Sequence, residues 1–183
     1  VLADGLTSLR EAVAVSSADG ASDTIVLTGG VTYTLNQCAL GALGVSGPGN
    51  LVIQGHGATI SQTCGDQRIF EKSGGNTTTL TLQNLSLVPG PNSGVNVEGA
   101  AVQATSQLVL DGVSVTGASA HFGGSLIDID FGPAAFDLVV LNSSFTNNTG
   151  SALTNQNPSG MQVHNTVISG NTGVGVRVNA ASQ

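Results

Sequence analysis

Apolar and polar residues alternate in short segments that return at a near-constant interval. Ile25-Val-Leu27, Leu51-Val-Ile53, Leu80-Thr-Leu82, Leu108-Val-Leu110, Leu138-Val-Val140 and Met161-Gln-Val163 share one template. Their starts lie 26, 29, 28, 30 and 23 residues apart. That interval is typical of a solenoid with one turn per repeat. Alternation with a period of two makes each segment a strand with one buried face.

The phase within the repeats is tighter than the period. Four residues after the last five starts stand Gly55, Asn84, Gly112, Asn142 and Asn165. Gly and Asn tolerate a positive φ, so this column predicts a left-handed bend between two strands. Seven residues after the last four starts come Leu87, Val115, Phe145 and Ile168, the inward residues of the strand beyond the bend. A third strand follows a small-residue turn at Gly99-Ala-Ala-Val102, Gly124-Ser-Leu-Ile127, Gly150-Ser-Ala-Leu153 and Gly173-Val-Gly-Val176. Three strands per turn predict an all-β chain folded as a parallel β-helix. A β-sandwich also has short alternating strands, but it gives no reason for Gly or Asn to recur at one phase.

Ser8-Leu-Arg-Glu11 has the Ser-x-x-Glu pattern of a capping box, and Leu9, Ala12 and Val13 fall on one helical face. An amphipathic helix at this point predicts an N-terminal cap over the first turn. The expected organisation is one domain over 1–183, with a cap region over 1–22 and stacked turns over 23–179.

Thr7-Ser-Leu-Arg-Glu-Ala12, with Asp23-Thr-Ile-Val-Leu27 and Thr32-Tyr-Thr-Leu35 after it, resembles the N-terminal CSLREA segment of bacterial surface β-helix proteins. Thr7 stands where that motif has cysteine. Phe145-Thr-Asn-Asn148 resembles the Phe-x-x-Asn repeat of polymorphic outer-membrane proteins. Gly123-Gly-Ser-Leu126 and Gly99-Ala-Ala-Val102 are similar to the Gly-Gly-Ala-Ile motif that accompanies it. The resemblance implies a right-handed β-helix of the pectin-lyase-like class, exported from a bacterium. Members of such groups serve as adhesins, scaffolds or carbohydrate-active enzymes, so the fold alone does not select among these roles.

Composition narrows the function classes. Only 8% of residues are charged, the net charge is -7, and the cations are Arg10, Arg68, Lys72 and Arg177. A nucleic-acid binder needs a basic footprint, which this chain lacks. The same sign of charge argues against an anionic membrane surface. No run of about 20 apolar residues occurs, so membrane insertion is not expected. The chain starts without Met and carries no leader pattern, as expected of a mature or excised chain.

The candidate chemistry is sparse. With Ile127 and Ile129 inward, Asp128 and Asp130 are expected to point outward into solvent, their Cα atoms about 6.6 Å apart. Paired carboxylates at such a separation suit a glycosidase. With Asp137 they also form a weak calcium set. Solvated polar positions are the plainer expectation. Stacking predicts an outward column of Gln103, Asp128, Thr154 and Arg177, which leaves Arg177 two turns from Asp128. His56, His121 and His164 occupy three different phases and are not expected to converge on a metal. No cofactor is expected. The Asn-x-Ser/Thr matches at Asn76, Asn84, Asn142 and Asn147 are frequent by chance in a chain this rich in Asn, Ser and Thr.

Composition leaves Cys38 and Cys64 as either free thiols or one disulfide. Phase decides in favour of the bridge. Cys38 follows Ile25 by the same 13 residues as Cys64 follows Leu51, and adjacent turns about 4.8 Å apart fall within disulfide reach. The C-terminal end, at Val174, Val176 and Val178, shows no second cap and is expected to be covered by further sequence or a partner. The expected function is a structural or adhesive module at the cell surface or outside the cell, contacting neutral glycans or other chains. The alternatives are a carbohydrate-active enzyme using the acidic pair and a fibre subunit stacking end to end.

Overall fold

A computed structural model describes residues 8–73, 78–91, 98–120, 124–130, 138–156 and 160–178. The chain opens on α1 (Leu9–Asp19), whose first turn is closed by a complete capping box between Ser8 and Glu11 and whose end is set by Gly20 at φ 76°. Fifteen strands follow among the described residues. They are β1 (Asp23–Val26), β2 (Thr32–Leu35), β3 (Leu43–Val45), β4 (Leu51–Gln62), β5 (Phe70–Lys72), β6 (Thr79–Val88), β7 (Val102–Ala104) and β8 (Gln107–Thr116), then β9 (Ser125–Ile129), β10 (Leu138–Leu141), β11 (Ser144–Thr146), β12 (Ser151–Asn155), β13 (Met161–His164), β14 (Val167–Ser169) and β15 (Val176–Val178).

Every strand pairing is parallel, and the strands form two sheets. The larger sheet runs β1-β4-β6-β8-β10-β13, with β2, β11 and β14 as its continuation beyond the bend. The smaller sheet runs β3-β5-β7-β9-β12-β15. This is the predicted parallel β-helix, with about five turns. Parallel stacking puts like on like. Ile25, Ile53, Leu82, Leu110, Val140 and Val163 make one inward column. Leu43, Phe70, Val102, Ile127, Leu153 and Val176 make another. Apart from Val176, which is exposed, these side chains form one continuous core with the residues packed against it, because each level buries its inward face only against its neighbours.

The helix closes the lower end. Leu9, Val13 and Ser16 are its buried residues. Arg10 fastens it by donating to the carbonyl oxygens of Gly41 and Ala42 at 2.9 Å each and to that of Leu40 at 3.3 Å. Ser17 Oγ donates to Gly44 O at 3.3 Å. The Cys38–Cys64 disulfide is formed, with a Cα–Cα distance of 5.4 Å. It ties the short 3-10 turn at Cys38–Leu40 to the residues just after β4.

The bend has left-handed backbone at Asn84 (φ 48°), Gly112 (φ 66°), Asn142 (φ 50°) and Asn165 (φ 49°). Gly55 corrects the expected column. At that level His56 (φ 49°) and Gly57 (φ 83°) take the positive angles instead, and the register against β6 shifts between Gln54 and Ala58. Gly55 answers a different need: a Cβ there would overlap Leu85 Cβ and Asn84 O of the next level. The residues inserted at His56 and Gly57 therefore move the sharp turn one residue along, and Gly55 remains as a point of close approach.

A second, buried ladder lies past the bend. Asn148 Oδ1 accepts from Ala118 N–H at 2.8 Å, and Asn148 Nδ2 donates to Val115 O at 3.1 Å. One level on, Asn171 Oδ1 accepts from Asn148 N–H at 3.0 Å, and Asn171 Nδ2 donates to Phe145 O at 2.8 Å. Each asparagine thus satisfies a backbone donor and a backbone acceptor of the level beneath it, groups that would be costly to bury unpaired.

Candidate functional site

The outward column of the smaller sheet reads Gly44, Glu71, Gln103, Asp128, Thr154 and Arg177. The part from Gln103 to Arg177 matches the expected stacking, with Arg177 two levels from Asp128. Arg68 makes an ion pair with Glu71 at 3.7 Å and donates from Nη1 to Gln103 Oε1.

Asp128 corrects the expectation of a solvated pair. It alternates outward from Ile127 and Ile129, yet only 1% of it is exposed. The cover is local. Gln156, just past β12, lays its amide across the carboxylate, with Nε2 donating to Oδ2 at 3.1 Å and to Oδ1 at 3.3 Å. Ser125 Oγ donates to Oδ1 at 3.3 Å. Burial raises the Asp128 pKa to about 6, helped by the charges of Glu98 and Asp130 and opposed by the hydrogen bonds from Gln156 and Ser125. Asp130 is half-buried, and its backbone N–H donates to Ala104 O at 2.8 Å. The two carboxylates therefore differ in environment. Asp128 is an enclosed group that keeps its proton to higher pH, and it does not present an open face to a substrate.

Asp137 and His121 lie outside the described residues. His56 sits in the bend with Nδ1 3.4 Å from Leu27 O, and His164 ends β13. Among the described residues, no group of three or more His, Cys, Asp or Glu side chains is placed to hold a metal ion. Lys72 occupies an inward position between Val45 and Ala104, is 1% exposed, and donates to Thr78 Oγ1 at 2.7 Å. Burial lowers its pKa.

The larger sheet carries an arrangement that the sequence reading did not single out. Beyond the bend, two outward columns run the length of the solenoid. One is Thr32, Thr59, Ser86, Ser114, Ser144 and Val167. The other passes through Thr34, Ser61, Val88, Thr116, Thr146 and Ser169. Neighbouring hydroxyls bond along the columns, Ser86 to Ser114 at 2.8 Å and Thr116 to Thr146 at 3.1 Å. Hydroxyls repeat about every 4.8 Å across the strands and about 6.6 Å along them. Tyr33 and Phe145 point inward between the columns, so among the described residues the two columns hold no aromatic ring and no charge. The legible signal was the hydroxyl-apolar-hydroxyl triplet, as in Thr32-Tyr-Thr34 and Ser144-Phe-Thr146.

No family model, curated protein or solved structure matches the chain.

Proposed function

We propose that this chain is a structural or adhesive module of an exported protein, and that its contact face is the double hydroxyl column of the larger sheet. The observation that carries this reading is the repetition of hydroxyl groups at one phase over successive levels. A rigid, uncharged hydroxyl grid offers many equivalent weak hydrogen bonds, suited to a neutral glycan or to another chain of similar surface. Repetition turns weak single contacts into usable affinity. The disulfide supports an oxidising compartment outside the cytosol. The expectation of a bacterial, right-handed, pectin-lyase-like surface protein belongs to the same proposal and rests on the motif resemblance alone.

One observation favours a second reading, a carbohydrate-active enzyme. Asp128 holds its proton to about pH 6, as a general acid must. Its burial beneath Gln156 weighs against that role, so the adhesive reading stands first. The fibre reading is weakened by α1, which covers one of the two ends that would have to stack.

The test is a screen of immobilised neutral glycans with the wild-type chain and with Ser114→Lys/Ser144→Lys. The proposal expects binding that falls about tenfold or more in the variant, a change of roughly 1.4 kcal/mol, with Tm unchanged. Absence of any neutral-glycan or protein ligand, or equal binding by the variant, would overturn it. Turnover of a bound glycan, lost in Asp128→Asn, would establish the enzyme instead.

A further inference from the structure

The double hydroxyl column is periodic in two directions. Thr32, Thr59, Ser86, Ser114 and Ser144 follow one another from level to level, and Thr34, Ser61, Thr116, Thr146 and Ser169 do so two residues further along the strands. Only Val88 and Val167 interrupt the two series. Backbone pairing sets both spacings, at about 4.8 Å between levels and about 6.6 Å between columns. The bonds from Ser86 to Ser114 and from Thr116 to Thr146 fix hydroxyls along the columns. A hydroxyl that donates to its neighbour still has lone pairs with which to accept from outside.

A single glycan chain can follow one column but meets the second direction only in part. A ligand that uses both directions must itself repeat in two dimensions, as a crystal face does. An ionic mineral face calls for charged side chains, and among the described residues the columns carry none. Ice is neutral, and each of its oxygens both donates and accepts. Tetrahedral water joined by O–H···O bonds of about 2.75 Å puts second-neighbour oxygens about 4.5 Å apart and repeats about every 7.3 Å along the six-fold axis. The hydroxyl grid therefore differs from the lattice by about 0.3 Å per level and about 0.7 Å between columns. Over the roughly five steps from Thr32 to Val167 the first difference grows to about 1.5 Å, less than half a lattice repeat, so the grid stays in register.

We propose that the double hydroxyl column binds ice, its hydroxyls taking oxygen positions of the lattice surface. Each hydroxyl exchanges a bond to liquid water for one to frozen water, a small gain alone. Repetition over a rigid grid sums these gains into lasting attachment. Attached chains block the face, so ice advances only between them with a strongly curved front, and freezing falls below melting. The inference shares one premise with the function proposed above, that the double column is the contact face, and it needs no glycan.

The test measures the gap between the melting and freezing points of a single ice crystal in a solution of the full chain, together with the crystal's shape. The proposal expects a gap and a faceted crystal. It expects the gap to fall about tenfold or more in Ser114→Lys/Ser144→Lys, which breaks the middle of a multivalent contact, and to persist in Gln162→Lys, an exposed position on β13 outside the columns. Thr116→Lys/Ser169→Lys, at two exposed positions of the second column, replaces the first variant if that one loses Tm. No gap with the wild-type chain overturns the inference, and so does an equal gap in the column variants. Glycan binding decides the shared premise separately. A chain without a gap that binds a neutral glycan, and loses it in Ser114→Lys/Ser144→Lys, overturns ice as the ligand and leaves the column as the contact face. Loss of neither property in the column variants overturns both.

Discussion

Asn142 donates its side-chain amide to Asp111 of the preceding level across 2.8 Å, while its own backbone stands at φ 50°. One residue therefore supplies both the left-handed turn and a tie between levels. Asn142→Val should destabilise by about 1–3 kcal/mol, because a β-branched residue resists that backbone region. Asn142→Gly keeps the turn and loses only two exposed hydrogen bonds, to Asp111 and from Asn165, so its cost should be well under half as large. Urea unfolding of the two variants checks this. Equal stabilities would mean that backbone conformation does not set the column.

Gly55 offers the converse case. Its φ is not in the positive region, but an added methyl would meet the next level. Gly57 has φ 83° and open space around it. Gly55→Ala should cost about 2 kcal/mol or more through displaced packing, and Gly57→Ala about 1 kcal/mol through backbone strain. A larger loss at Gly57, read from thermal melts, would reverse the assignment.

Asn148→Ala should be among the most damaging polar substitutions. It leaves Ala118 N–H without its partner in a buried setting and takes a side-chain donor from Val115 O, at about 1–3 kcal/mol for the unpaired group. Asn148→Asp keeps the acceptor for Ala118 but offers no donor to Val115 O, so it should not rescue at neutral pH. Rescue by aspartate in a chemical-denaturation series would remove the donor half of the ladder.

The enclosed carboxylate of Asp128 makes stability depend on pH in a stated direction. Its folded pKa of about 6 lies above the ordinary aspartate value of 3.8, so the folded state binds the proton more tightly than the unfolded state. Its contribution is most favourable below about pH 4, declines as pH rises to about 6, and is flat above. Asp128→Asn keeps the hydrogen-bond acceptor and removes the titration. The variant should gain about 1–3 kcal/mol at pH 7 relative to wild type, and little or nothing at pH 4. A gain of equal size at both pH values would show that charge is not the cause.

Much of the fold was legible because stacking repeats the same demand at each level. Ile25 and Ile53, or Phe145 and Ile168, face the same neighbours, so the sequence shows the same chemistry at one phase. The disulfide was legible for the same reason, since Cys38 and Cys64 are offset by about one repeat. What escaped were features set by one-off departures from the period. Gly55 looked like a bend residue because two inserted residues moved the turn beyond it. Asp128 looked solvated because alternation reports which side of a strand a residue is on, and says nothing of Gln156 folding over it. Lys72 occupies an inward column that is otherwise apolar around it, and no local pattern distinguishes it from a surface lysine.

The bond between Cys38 and Cys64 also gives the molecule a mechanical asymmetry. Each level is held only by its neighbours, and the upper levels have no covalent tie among the described residues. Under tension between its ends, the solenoid should peel from the β15 side. Each level of 23 to 30 residues would release roughly 80–100 Å of chain. The unravelling should stop short at the base, where the 26-residue separation bridged by the cysteines cannot lengthen until it is reduced. Single-molecule stretching with and without a reductant would show the difference as one late extension present only in the reduced chain. A lever pulled from one side thus meets a base that yields last.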